Sequence, residues 1–258
     1  MLIHGAPLIE GRVNVGSSLL PSQRNSPPTP FKKHVVLPTR TVQITSDLSV
    51  TLYESPLLNS EVNSYITSTH NKPDPFGLAL WPGSILSSQL LLKETVNSLL
   101  LLGAGTGLEA VTLLSQNPLA VVKATDYNID SLKLLSKSCP QAETEIFDIT
   151  SSAKLPYPHQ CSMVIASDLL YNDDLAFALA ERVCEAVRDG KKVVVSDSQR
   201  FHGRAFITRL NEILRKENLW GHEKEIEWRS TKLKGVETCS MIEEGDVKYD
   251  VDVNFLTF

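Results

Sequence analysis

Nothing in this sequence pairs cysteines or gathers histidines. Its four cysteines, Cys139, Cys161, Cys184 and Cys239, stand far apart with no Cys-x-x-Cys. In a chain of 258 residues that reads as buried thiols of a reducing compartment and argues against a disulfide framework. The six histidines show no His-x-x-x-His or Cys/His ligand spacing, so no metal site is expected. Apolar runs such as Leu99 to Leu102 are far too short to span a bilayer, and no secretory segment is present. A basic excess is missing as well: 25 Lys and Arg face 30 Asp and Glu, for a net charge of −5. A duplex binder usually carries a basic face, so neither nucleic acid nor membrane is expected as a partner. The expected location is cytoplasmic, and the expected state is a monomer.

What is present is ordinary globular material, with 42% hydrophobic and 21% charged residues. The N-terminal stretch, residues 1–33, is rich in Pro, Ser and Gly and shows no helical period, so it reads as a flexible leader. Glu10 is its one acid against Arg12, Arg24, Lys32 and Lys33. That bias leaves open an organellar transit peptide as the alternative. Residues 34–75 form an extension in which Val42, Ile44, Leu48, Val50 and Leu52 alternate with polar residues around Ser46-Asp47, the pattern of a β-hairpin. Residues 76–258 form the main domain. It starts near Leu80-Trp81-Pro82-Gly83-Ser84, where Ser84 is placed to cap a helix.

Beyond Ser84 strands and helices alternate. Short strands are expected at 99–102, 120–125, 143–147, 162–167 and 191–196, with helices notably at 175–187 and 205–219. Crossovers of this kind imply a parallel sheet. The C-terminal part breaks the alternation: 225–228, then Val251, Val253 and Phe255, suggest a final hairpin adding an antiparallel strand.

The sharpest signal is Leu102-Gly103-Ala104-Gly105-Thr106-Gly107-Leu108, a buried strand running through a glycine turn into a helix. Glycines let the backbone turn tightly and let a ligand approach. The spacing is G-x-G-x-G, not the dinucleotide G-x-G-x-x-G, and no Gly-Lys-Ser/Thr follows. Taken alone it is equally a plain strand–helix turn. Asp126 ends the next strand, about twenty residues on, where a carboxylate holds a ribose diol. Asp130-Ser131 caps the following helix better than Asp126 does, which leaves Asp126 for an adenosine-type ligand. Asp148 ends the third strand, placed for an adenine amine with Ile149 packing on the ring; the plainer reading is a turn. Asp168 ends the fourth. In an open α/β sheet these strand ends line one crevice.

The order G-x-G-x-G, Asp126, Asp148, Asp168-x-x-Tyr171 resembles the class I methyltransferases. With Leu80-Trp81-Pro82, it is similar to the seven-β-strand protein-lysine methyltransferases, which include the calmodulin, valosin-containing-protein and electron-transfer-flavoprotein β-subunit lysine methyltransferases. The resemblance covers about residues 40–258. It implies a Rossmann-like α/β fold: a seven-strand sheet, helices on both faces, an antiparallel C-terminal strand and the N-terminal hairpin. It implies S-adenosyl-L-methionine as cofactor, held around Trp81, Gly103, Gly105, Gly107, Asp126, Asp148 and Ile149. Asp168 and Tyr171 would then serve the acceptor amine, a lysine of a protein substrate, with Asp168 docking it and Tyr171 shaping the slot. Trp81 equally well packs under the first helix. The family's acid two residues before the first glycine is Leu101 here. Two alternatives accompany this reading: a small-molecule N-methyltransferase, and a binding protein that keeps the fold without the chemistry.

Overall fold

The computed structural model describes residues 38–55, 75–198, 202–219, 225–238 and 248–258. The expected leader, residues 1–33, lies outside them. The hairpin is β1 (Thr39–Thr45) and β2 (Leu48–Tyr53), paired antiparallel. After it come α1 (Pro82–Leu91), β3 (Ser98–Leu102), α2 (Leu108–Gln116), β4 (Val121–Asp126), α3 (Ile129–Ser138) and β5 (Glu143–Ile146). Next are β6 (Met163–Ser167), α4 (Asp173–Arg188), β7 (Lys192–Asp197), α5 (Gly203–Lys216), β8 (Arg229–Val236) and β9 (Tyr249–Thr257).

The main sheet has seven strands in the order β5-β4-β3-β6-β7-β9-β8. β3 to β7 run parallel, whereas β9 is antiparallel to both β7 and β8. The expected architecture is therefore found. All five residues of β3 are buried, as a central strand covered on both faces requires. Alternation then sorts the helices. Leu100, Leu102, Val164, Ala166, Val193 and Val195 pack with α4 and α5. Leu99, Leu101, Met163, Ile165 and Val194 face the other way, toward residues of α1, α2 and α3. The hairpin covers its own seam, with Val42, Ile44, Val50 and Leu52 against α1, β8 and β9. Glu54 ties it down, pairing with Arg40 and accepting the Leu80 N–H at 3.3 Å.

Three local expectations differ. α1 begins at Pro82, with Trp81 extended as its N-cap. Proline has no N–H to satisfy and its φ suits the first helical position, so the helix starts two residues before Ser84. Asn128 caps α3, its side chain accepting the Asp130 N–H at 2.9 Å, in place of Asp130-Ser131. Residues 225–228 precede the strand they were expected to form, which starts at Arg229.

The connection from β5 to β6 has no helix. Arg182 of α4 holds it: Nε donates to the Ile149 carbonyl at 2.9 Å, the guanidinium reaches the Ser151 carbonyl, and it lies 5.3 Å from the Phe147 ring centroid. Glu185, paired with Arg182, accepts the Leu155 N–H at 2.8 Å. Cys139, Cys161 and Cys184 are buried free thiols; Cys239 lies outside the described residues. Among the described residues no helix is long and apolar enough to cross a membrane.

Candidate functional site

The chain order leaves β3 toward β4 on one side and returns to β6 on the other. That reversal opens a crevice at the carboxyl ends of the strands. A cavity of about 670 Å³ occupies it. Trp81, Gly103, Gly105, Asp126, Asp148, Ile149, Asp168 and Tyr171 all line it, so every expected site residue except Gly107 reaches one place.

The glycine loop is built as its sequence suggests. Gly103, Gly105 and Gly107 have φ of 59°, 52° and 79°, a region that L side chains occupy only with strain. Gly105 donates its N–H to Asp126 Oδ2 at 2.8 Å, and a Cβ there would come within 3.4 Å of the Gly77 carbonyl. Gly107 serves packing instead. It stands at the N-cap of α2, and a Cβ would lie 2.5 Å from the Leu135 side chain.

Asp126 is 8% exposed and uses both oxygens, Oδ2 on Gly105 and Oδ1 on the Asn128 N–H at 2.8 Å. It therefore ties the glycine loop to the turn after β4. Asp148 Oδ1 accepts from the Thr150 N–H and hydroxyl at 2.8 and 2.7 Å, so it both forms a turn and lines the cavity.

Asp168 is 5% exposed with φ of 56°. Its Oδ2 accepts the Gly83 N–H at 2.6 Å, while Oδ1 accepts the Ser198 N–H and hydroxyl, each at 2.7 Å. The carboxylate staples the first turn of α1 to the end of β7. The following helix, α4, is capped by Asn172, whose side chain accepts the Leu175 N–H. Gly83 is required by this contact, since a Cβ would sit 2.4 Å from Asp168 Oδ2.

Sequence reasoning missed Phe76, which completes an aromatic wall. Its ring centroid lies 5.9 Å from Trp81 and 5.5 Å from Tyr171. Trp81 Nε1 donates to the Phe76 carbonyl at 2.8 Å, which fixes the indole at the cavity. Ser84 and Ser167 also line it and were missed. Ser167 was findable, because it ends β6 immediately before Asp168. Glu109 carries no such signal: it resembles any first-turn acid, yet it is 3% exposed and accepts the Ser167 hydroxyl at 2.7 Å. Burial pushes its carboxyl up to about 7, against hydrogen bonds from Ser167 and Ser84 that lower it.

The lining has a definite electrostatic character. Its charged members among the described residues are Asp126, Asp148, Asp168 and Asp174, with no Lys, Arg or His. A pyrophosphate would meet four carboxylates there and no counter-cation among the described residues of the lining. A cation would meet carboxylates and an aromatic lining of Phe76, Trp81, Tyr127, Phe147 and Tyr171.

No family model and no curated protein matches the chain. Solved structures overlap it at low identity. A TehB-like S-adenosylmethionine-dependent methyltransferase from Corynebacterium glutamicum is 12% identical, with TM-score 0.40, over 76% of this chain and 94% of its own. A Pyrococcus horikoshii protein provisionally described as an RNA methyltransferase is 12% identical, with TM-score 0.45, over 75% and 93%. The tRNA (uracil-54, C5)-methyltransferase of Pyrococcus abyssi, in complex with S-adenosyl-L-homocysteine, is 11% identical, with TM-score 0.40, over 84% and 44%. Overlaps of that quality assign no chemistry by themselves.

Proposed function

We propose that this chain binds S-adenosyl-L-methionine and methylates an amine, the side chain of a lysine in a protein substrate. The observation that carries the reading is the cavity itself: a glycine loop at the sheet's reversal point, four carboxylates, an aromatic wall and no cation among the described lining residues. Such a lining suits a cationic ligand and a cationic acceptor together. It disfavours a phosphate-bearing cofactor or a nucleic-acid strand.

The residues fit the cofactor. Gly103 and Gly105, both at positive φ, bring the loop backbone to the cavity wall, with the Leu169 side chain packed where a Gly103 Cβ would stand. The Asp126 carboxylate, fixed by two backbone N–H groups, stands where a ribose would be held, with Asp148 and Ile149 beside it for the base. When bound, S-adenosyl-L-methionine supplies an electrophilic methyl on a positively charged sulfur. The chain's own task is to orient the acceptor, exclude water and have the amine neutral. Neutralising a free lysine at pH 7 costs roughly 4 to 5 kcal/mol. Asp168, immobilised by Gly83 and Ser198, offers its charge to an incoming ammonium from a fixed position, and Tyr171 with Phe76 bounds the slot. Rate then comes mainly from alignment.

Two measurements test this. S-adenosylmethionine and S-adenosylhomocysteine should raise the melting temperature with ligand concentration, and NAD should not. Labelled methyl transfer into a lysate, followed by mass spectrometry, should place the label on lysine. A shift with NAD alone overturns the cofactor. Binding without any transfer supports the non-catalytic alternative, and label on a small molecule supports the other.

A further inference from the structure

Glu109 has no place in the mechanism so far, yet its position is specific. It sits on α2 directly after the glycine loop and is 3% exposed. No described residue forms an ion pair with it. From β6 it meets the Ser167 hydroxyl at 2.7 Å, from α1 the Ser84 hydroxyl, and the charged group acting on it is Asp168, another anion. Ser84 and Ser167 both line the cavity, whereas Glu109 does not, and the Ser167 hydroxyl also lies 2.9 Å from that of Ser87. A carboxylate screened from bulk water is thus one hydroxyl away from the place where an acceptor would sit.

We propose that Glu109 is the proton acceptor for the incoming ammonium, reached through the hydroxyl of Ser167. The proposal rests on the amine reading above. Glu109 touches no acceptor itself and acts through Ser167, which lines the cavity. One N–H bond of the acceptor ammonium breaks and its proton passes to Ser167 Oγ. The proton that Ser167 already donates passes to Glu109 Oε1. The products are a neutral amine, an intact serine and a protonated Glu109: one positive and one negative charge are replaced by two neutral groups. Asp168 cannot take this part, because its oxygens hold Gly83 and Ser198 and a carboxylate beside an ammonium favours the charged amine. A carboxyl raised to about 7 by burial is matched to a proton released near neutral pH.

The test has two readouts on the full chain. In protein labelled with carbon-13 at glutamate carboxyls, one resonance should titrate near pH 7 and be missing from Glu109→Gln. Ser167→Ala should move its midpoint further up, because a hydrogen bond to the ionised form is lost. A Glu109 that titrates in the ordinary glutamate range overturns the proposal, as does a midpoint unmoved by Ser167→Ala. The second readout is methyl transfer against pH. The wild-type rate should rise with a midpoint near 7. Glu109→Gln should lower it about a hundredfold at pH 7 and recover toward pH 10, where water deprotonates the amine. A purely structural role for Glu109 would give a loss that does not vary with pH, and that result also overturns it. So does a Ser84→Ala, Ser167→Ala double variant that keeps the wild-type profile with Glu109 intact. A wild-type chain that transfers no methyl sinks the amine reading and takes this proposal with it. Transfer that Glu109→Gln matches at every pH sinks the proposal alone.

Discussion

Glu109 keeps a carboxyl in one of the driest parts of the molecule, and its raised pKa has a consequence for stability. Folding moves that pKa from 4.5 to about 7, so between those values the folded chain holds a proton that the unfolded chain has lost. The associated stability is complete below about pH 4.5, falls as pH rises toward 7, and is gone above it. The magnitude is on the order of 3 kcal/mol. Glu109→Gln should therefore flatten the decline between pH 5 and 7 and melt above the wild type at pH 8, as measured by thermal denaturation across pH. An unchanged pH dependence would mean that Glu109 is hydrated. Asp168 is buried with its oxygens accepting from the Gly83 N–H and from the Ser198 N–H and hydroxyl. Asp168→Ala should cost about 1–3 kcal/mol by leaving the Gly83 and Ser198 groups unpaired, and should abolish transfer as well. Gly83→Ala should mimic the structural part alone, since its Cβ collides with Oδ2. If both variants fold as stably as wild type, the staple is not holding α1.

Among the elements, the most informative is the one without regular structure, the β5–β6 connection. It carries Phe147, Asp148 and Ile149 into the cavity, and α4 holds it in place through Arg182 and Glu185. Arg182 is 8% exposed, so its loss uncovers carbonyls that no water reaches easily. Arg182→Ala should destabilise the chain by about 2–3 kcal/mol and weaken S-adenosylmethionine binding although it never lines the cavity. Calorimetry on the folded variant decides this, and unchanged affinity would show that the connection holds itself. Sequence periodicity located α4 and β6 because both repeat apolar residues at regular intervals. It located α1 less well, since Pro82 and Gly83 lie where apolar spacing carries no signal.

For the whole molecule, the Pro-, Ser- and Gly-rich sequence of residues 1–33 offers no periodic apolar face to bury. Removing residues 1–33 should therefore leave both the melting temperature and the ligand-induced shift within a degree or two of the full chain. A larger loss would mean that the leader packs on the domain. The parallel run of strands and the antiparallel C-terminal strand were legible because crossover helices and the break in alternation after α5 mark them, whereas the seven-strand count was implied by the family resemblance and the strand order came from the structure. Gly103, Gly105, Asp126, Asp148, Asp168 and Tyr171 were legible together because strand ends in an open sheet share one edge.

The sequence by itself determined which residues end the strands, where the glycines must turn, and that the chain carries no overall basic excess. Those properties are local or compositional, and each is readable within a few positions of the residue concerned. Only the tertiary structure decided what the carboxylates do. Asp126, Asp148 and Asp168 look equivalent along the chain, yet one binds the glycine loop, one closes a turn and one joins α1 to β7. Glu109 reads as a solvent-facing helix residue and is instead buried against Ser84 and Ser167. Partners for these groups come from segments up to 85 residues away, as with Asp168 and Gly83. A hydrogen-bond network between such distant segments leaves no periodic trace, because its members are chosen by packing and not by position along any one element.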